Sequence, residues 1–215
     1  MKLPVFPSLI PPVANYASIA CQNICGVRRV VNFVLGPEGT NMQQACKAWI
    51  RWSGIVAKAE IMLCPTPEDS LAQARLVTEK GVVPFFWTCA VYFRLNELFF
   101  GNPDVHPFLV SFNYELDKMQ LCVKEELHRQ EWNGGWRIAS HPSPSPLVDG
   151  LGPVVKTTSN AQAALMCARG EVEACITTAQ AAKIHGLTMV HEFGSPIMVF
   201  FAGTTEHGMK ILLGQ

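Results

Sequence analysis

From Val30 onward, short β-branched or aromatic runs alternate with longer stretches of helical spacing, the rhythm of an α/β chain with mainly parallel sheet. Strands are predicted near 30–35, 59–64, 81–86, 106–123, 136–140, 173–177 and 189–202, and helices near 41–53, 67–78, 88–100, 158–169 and 178–185. In the long run 106–123, Phe108, Val110, Phe112, Tyr114 and Leu116 alternate with polar neighbours before a turn near Asp117-Lys118, which indicates antiparallel pairing. Repeats and low-complexity segments are absent, and the one strong cluster of breakers is Pro142-Ser143-Pro144-Ser145-Pro146.

Composition narrows the function classes. A chain of 215 residues, 49% of them hydrophobic, can bury one domain of two lobes or two small domains. Lysine plus arginine equals aspartate plus glutamate at 17 each, so no broad positive field exists to attract nucleic acid or an acidic membrane surface. The eight cysteines are scattered through apolar runs without a paired Cys-x-x-Cys, as expected of reduced core thiols, and no metal site is predicted. Cys21 and Cys25 stand one helical turn apart, and packing is their expected role. Met1–Pro12 carries one lysine and four prolines, which suits neither a signal peptide nor a membrane span, so a cytoplasmic protein is expected.

The chemistry must then come from local dipoles. At Val34-Leu35-Gly36-Pro37-Glu38-Gly39-Thr40 a strand runs into a glycine turn and opens a helix, presenting unpaired N–H groups that suit a carboxylate or phosphate. Three predicted helices begin with hydroxyl or amide side chains, at Thr40-Asn41, Trp87-Thr88 and Thr157-Thr158-Ser159, and ordinary capping alone accounts for such residues. His141 titrates in the right range for an acid or base, with a structural role as the equal alternative, whereas His106, His185 and His191 fit ordinary polar positions at element ends.

Taken in order, Leu35-Gly36-Pro37-Glu38-Gly39-Thr40, Gly81-Val82-Val83-Pro84, Ser140-His141-Pro142, Thr158-Ser159-Asn160-Ala161-Gln162-Ala163-Ala164 and His185-Gly186-Leu187 resemble the prephenate dehydratase family over roughly Val30 to Phe201. The resemblance implies two α/β lobes of the type II periplasmic-binding-protein kind with the ligand between them: residues 30–105 plus 191–215 in one lobe, 106–190 in the other, and 1–29 as an extension. It implies a homodimer, a prephenate-like small-molecule substrate and no cofactor. With the sequence ending soon after the catalytic-type region, the family's regulatory amino-acid-binding module is not expected.

Departures from the family pattern redirect the chemistry. Where the family follows Gly-Val-Val-Pro with Ile-Glu-Asn and a hydroxyl residue, this chain has Phe85-Phe86-Trp87-Thr88, which keeps the hydroxyl and exchanges the acid and amide for apolar rings. A core role for Phe85 and Phe86 is the alternative. Ser143 replaces a glutamine, and Asn-x-Thr-Arg-Phe gives way to Gly194-Ser195-Pro196-Ile197-Met198. The family threonine assists departure of the ring hydroxyl, which Pro196 and Ile197 cannot do. The chain therefore looks like the non-aromatising prephenate decarboxylases of specialised-metabolite pathways, including the bacilysin type.

The resemblance assigns Gly39, Thr40, Thr88 and Ser159 as carboxylate or keto-acid anchors, Thr88 also contributing to catalysis, and His141 as proton donor. Phe86, Trp87, Ser143, Pro196 and Ile197 are expected to line the substrate site. A non-catalytic binder of aromatic or prearomatic acids, and a dehydratase with a substitute acid, remain open readings of the same residues.

Overall fold

The computed structural model describes residues 23–215 apart from Asn133 and the side chain of Pro107; Cys21 and most of the expected extension lie outside the described residues. The β-branched and aromatic runs form ten strands. β1 (Arg29–Leu35), β2 (Ala59–Cys64), β3 (Val82–Cys89), β10 (Ile197–Thr205) and β4 (Val105–Glu115) make one sheet in the order β2-β1-β3-β10-β4. β1 is parallel to β2 and β3, and β10 is antiparallel to β3. β5 (Met119–Val123), β6 (Ile138–Ser140), β7 (Val154–Lys156), β8 (Ala174–Thr178) and β9 (Thr188–Gly194) make a second sheet in the order β7-β6-β8-β5-β9. There β6 is parallel to β7 and β8, while β5 is antiparallel to β8 and β9.

The chain divides accordingly. Among the described residues, unit 1 holds 23–36, Met42–Tyr114 and Val199–Gln215; unit 2 holds Pro37–Asn41 and Glu115–Met198. The passages at 114/115 and 198/199 come later than the sequence boundaries at 105/106 and 190/191, because all but the last residue of the long β4 stays with the first sheet and all of β9 pairs with β5. Residues 23–28 are part of unit 1 and not a separate extension: Ile24 is fully buried, and the main-chain N–H groups of Arg28 and Arg29 donate to the Gly81 carbonyl.

Unit 1 packs both faces of its sheet. Helix α1 (Asn41–Trp52) repeats small and apolar residues at Met42, Ala45, Cys46 and Trp49, which buries one stripe. Trp49 meets Phe85 and Trp87 edge to face at 5.2 and 5.5 Å. Trp87 donates its indole N–H to Asn32 Oδ1 at 3.0 Å, and Asn32 in turn donates to the Glu60 carbonyl at 3.1 Å, so this buried polar pair is satisfied. On the opposite face Phe86 packs with Val31, Phe33, Leu71, Ala74 and Leu98. Helix α2 (Pro67–Leu76) starts at a Thr66 cap that accepts from Asp69 N–H at 3.0 Å, with proline in its first turn.

Unit 2 is built on small residues. Helix α4 (Asn160–Ala168) presents Ala163 and Cys167 to Cys122, Ala139 and Cys175 of the sheet, with Ala182 of α5 (Ala179–Ile184) alongside. Leu121, Trp136, Ile138, Val148 and Ile176 fill the other face.

Three sequence expectations need correction. No helix begins at Trp87-Thr88: β3 continues to Cys89, held by antiparallel pairing with β10, and the helix there, α3, spans only Leu95–Phe100. The single strand predicted over 189–202 is two strands in different sheets, parted where Gly194 takes a left-handed φ of 89° ahead of Pro196. The run 106–123 likewise parts at Asp117-Lys118 into β4 and β5, which lie in separate sheets. The short edge strand β7 and the last helix, α6 (Glu206–Leu212), went unpredicted.

Candidate functional site

The carboxyl ends of β6, β7 and β8 lie along one edge of the second sheet, where the chain steps outward from β6 to β7 and then reverses, crossing back over β6 to reach β8. Such a reversal opens a crevice beyond the strand ends, the usual place for ligands in an open α/β sheet. His141-Pro142-Ser143 follow β6, Thr157-Thr158-Ser159 follow β7, and Thr178 closes β8.

Hydrogen bonds fix these turns. Thr157 N–H donates to the Ser140 carbonyl at 3.0 Å, and the Thr157 hydroxyl donates to the Ser159 carbonyl at 3.0 Å. Ser159 Oγ accepts from Gln162 N–H at 3.1 Å, so Ser159 is the cap of α4. Thr177 Oγ1 donates to the Asn160 carbonyl at 2.8 Å, and Thr178 caps α5 by accepting from Ala181 N–H. The amino terminus of α4, where Ser159 takes up the Gln162 and Ala163 N–H groups, thus sits in a loop braced by hydroxyl hydrogen bonds, and the positive end of a helix suits a carboxylate.

Residues 37–41 belong to the same unit. Gly39 adopts a φ of 87°, which a side chain would strain, and a Cβ there would sit 3.7 Å from Ile184 Cδ1. Asn41 Oδ1 accepts from Asp117 N–H at 3.2 Å, while the Asp117 carboxylate accepts from Lys118 N–H at 2.9 Å and from Gln180 N–H at 2.6 Å. Asp117 therefore joins Asn41 to the first turn of α5 within unit 2. Sequence reasoning saw only a turn at Asp117-Lys118; a lone aspartate followed by a strand gives no sign of this bracing.

His141 is half-buried, and its Nδ1 accepts from Ser143 N–H at 3.2 Å. A main-chain N–H can only donate, so Nδ1 carries the lone pair and the neutral ring bears its proton on Nε2. Burial holds the imidazole below the ordinary histidine value of 6.5, which favours this neutral form. Ser143 supplies a main-chain donor to the histidine.

The remaining sequence candidates lie elsewhere. Phe86 and Trp87 are committed to the interior of unit 1, 1% and 0% exposed, so neither ring is an accessible wall. Thr88 also lies in unit 1, on a strand and not at a helix start, which removes the dipole argument for it; its buried hydroxyl has no hydrogen-bond partner. Pro196 is exposed with its carbonyl taken up by Leu116 N–H at 2.9 Å, and Ile197 is 72% exposed. Gly39, Thr40, His141, Ser143, Ser159, Pro196 and Ile197 share unit 2, whereas Phe86, Trp87 and Thr88 do not. Among the described residues, no three His, Cys, Asp or Glu side chains are grouped to hold a metal ion, and no helix is long and apolar enough to cross a membrane.

No protein-family model and no curated protein matches the sequence. Solved structures do. The periplasmic VFT2 domain of Bordetella pertussis BvgS matches at a TM-score of 0.55 and 14% identity, over 98% of this chain and 92% of that one. R. palustris Rpa4515, solved with adipate, matches at 0.53 and 12% identity, over 87% and 80%. The prephenate dehydratase of Staphylococcus aureus matches at 0.48 and 12% identity, over 82% of this chain and 66% of that one. The two-sheet architecture and these neighbours together give the chain the two-lobed α/β fold of periplasmic binding proteins.

Proposed function

We propose that the chain is a cofactor-independent prephenate decarboxylase that releases CO₂, protonates the ring and leaves the ring hydroxyl in place. The order of the dehydratase-like motifs supports the substrate. The observation that carries the reaction is the connection from Gly194 to Met198: Pro196 spends its carbonyl on Leu116, Ile197 offers only carbon, and no guanidinium is present. Dehydration needs a donor aimed at the departing hydroxyl, and loss of one such group costs about a hundred- to a thousand-fold in rate, roughly 2.7 to 4 kcal/mol.

In this reading the α4 amino terminus at Ser159 and the Gly39-Thr40 turn anchor the carboxylate and keto-acid groups, and Ser143 keeps the imidazole oriented. As CO₂ departs, its bonding electron pair is captured by a proton at a neighbouring ring carbon. His141 delivers that proton from its cationic minority form, in which Nδ1 bears a hydrogen and releases the Ser143 N–H, and regains the resting bond once the proton is passed on. The product, a dihydro-hydroxyphenylpyruvate, suits a specialised-metabolite pathway, and the family resemblance adds a cytoplasmic homodimer.

A second reading, a non-catalytic acid binder, is favoured by His141 resting neutral and by Rpa4515, whose structure holds the dicarboxylate adipate. Purified protein incubated with prephenate separates the cases. Stoichiometric CO₂ without the alkaline absorbance of phenylpyruvate supports decarboxylation; saturable binding without CO₂ supports the binder. CO₂ accompanied by that absorbance makes the protein a dehydratase and ends the proposal.

A further inference from the structure

Between β4 and β5 stand only Leu116, Asp117 and Lys118. Within unit 2 their main chain is bonded to three segments distant in sequence. Leu116 N–H donates to the Pro196 carbonyl at 2.9 Å, Asp117 N–H donates to Asn41 Oδ1 at 3.2 Å, and the Lys118 carbonyl accepts from Ala179 N–H at 2.9 Å. The first two bonds reach the connection 194–198 and the turn 37–41, both of which the proposed site uses. The third reaches the start of α5.

One side chain holds this junction. The half-buried Asp117 carboxylate accepts from Lys118 N–H at 2.9 Å through one oxygen and from Gln180 N–H at 2.6 Å through the other. Both bonds are made to an anion, and the second lies at the positive end of α5, so each is stronger than its neutral counterpart. With Ala179 N–H on the Lys118 carbonyl and Ala181 N–H on Thr178 Oγ1, the first three N–H groups of α5 are met from within the chain. The carboxylate fixes the main chain of residue 117, and with it the direction of the N–H that Asn41 accepts. Ile184 of the same short helix lies beside Gly39, its Cδ1 3.7 Å from where a Cβ would stand on that residue. The turn 37–41 is therefore held at Gly39 and at Asn41. An aspartate that merely shaped its own turn would need only the bond to Lys118; its partners Gln180 and Asn41 are 63 and 76 residues away.

We propose that Asp117 is a positioning residue, whose carboxylate keeps the Gly39-Thr40 turn in the conformation that receives a ligand carboxylate. It acts through Asn41 and not by touching the ligand. The identity of that ligand rests on the decarboxylase reading; the brace itself does not.

The test compares the full wild-type chain with Asp117→Ala, Asp117→Asn and Asn41→Ala. Amide hydrogen exchange without ligand reads the brace. Asp117→Ala should speed exchange in peptides covering 37–42 and 179–184 and leave 161–168 as in the parent, whereas Asn41→Ala should speed it in 37–42 alone. Calorimetry and steady-state turnover with prephenate read the consequence. Asp117→Ala should raise Kd and KM about tenfold with kcat within about twofold, because an anchor that holds ground and transition states alike acts on binding alone. Asp117→Asn keeps one acceptor oxygen and should recover most of the loss. Asn41→Ala should weaken binding by a similar factor and the double variant no further, since both act through one contact. Exchange at 37–42 unmoved by Asp117→Ala overturns the inference, as do losses that multiply in the double variant or a fall in kcat with Kd unmoved. A parent that binds prephenate without releasing CO₂ ends the decarboxylase reading alone, and the Kd ratios then decide the role of Asp117. A parent that does not bind prephenate overturns both.

Discussion

The two sheets spend their carboxyl edges differently. In unit 1, β3 runs Val82–Cys89 with all eight side chains buried, and its bulkiest residues lock against α1 and α2. In unit 2 the strands are short, the helices over them are alanine-rich, and each parallel strand ends in a polar turn stitched by hydroxyl hydrogen bonds. Large rings at strand ends produce a scaffold. Small residues and hydroxyls at strand ends produce short turns held by local hydrogen bonds, and the anchors of the proposed site concentrate in unit 2.

The largest effect that would break this comparison comes from unit 1. Trp87→Ala removes a fully buried ring and strands Asn32, and should cost about 3 to 5 kcal/mol in denaturant unfolding. A variant as stable as the parent would return Trp87 to a ligand-facing role. Thr88→Val removes a hydroxyl buried without a partner, a group whose burial costs about 1 to 3 kcal/mol, so the variant should be more stable in denaturant unfolding. A variant less stable than the parent would show that the hydroxyl is satisfied in the fold. Ser159→Ala deletes the α4 cap and should lower stability by about 0.5 to 2 kcal/mol and raise KM for prephenate; a lower stability with KM unmoved would leave Ser159 a cap alone.

The smallest effect is a pH profile. The folded pKa of His141 lies below its ordinary 6.5, so the folded state resists protonation: stability is full above 6.5 and falls as pH drops through the depressed value. A proton donor shows the opposite trend in rate, with kcat rising as pH falls towards that value while the fold persists. His141→Asn should abolish this rising limb; a limb surviving in the variant would assign the proton to another group.

Much of this contrast was legible in the chain. The strand at 59–64 and the helix opening at Pro67 follow from local signals, namely alternating apolar residues and a Thr66-Pro67 cap, and the α/β fold class follows from their rhythm. The turn at Gly39 and the helix cap at Ser159 were legible for the same reason, since a turn glycine and a helix cap act within a few residues. What failed depended on distant partners. Trp87 and Thr88 carry strand-forming side chains, and only pairing with Phe201 and Ala202 keeps β3 going through them. The break between β9 and β10 depends on two sheets claiming successive segments, and Asp117 acts through Asn41 and Gln180, both far away in sequence.

The central claim is that the ring loses CO₂ and keeps its hydroxyl. Proton spectra of prephenate and enzyme in D₂O test it most directly. The account predicts olefinic ring signals that persist, shifted, with one deuterium entering at a ring carbon as CO₂ is released. Aromatic signals growing in at the enzyme-dependent rate would contradict it.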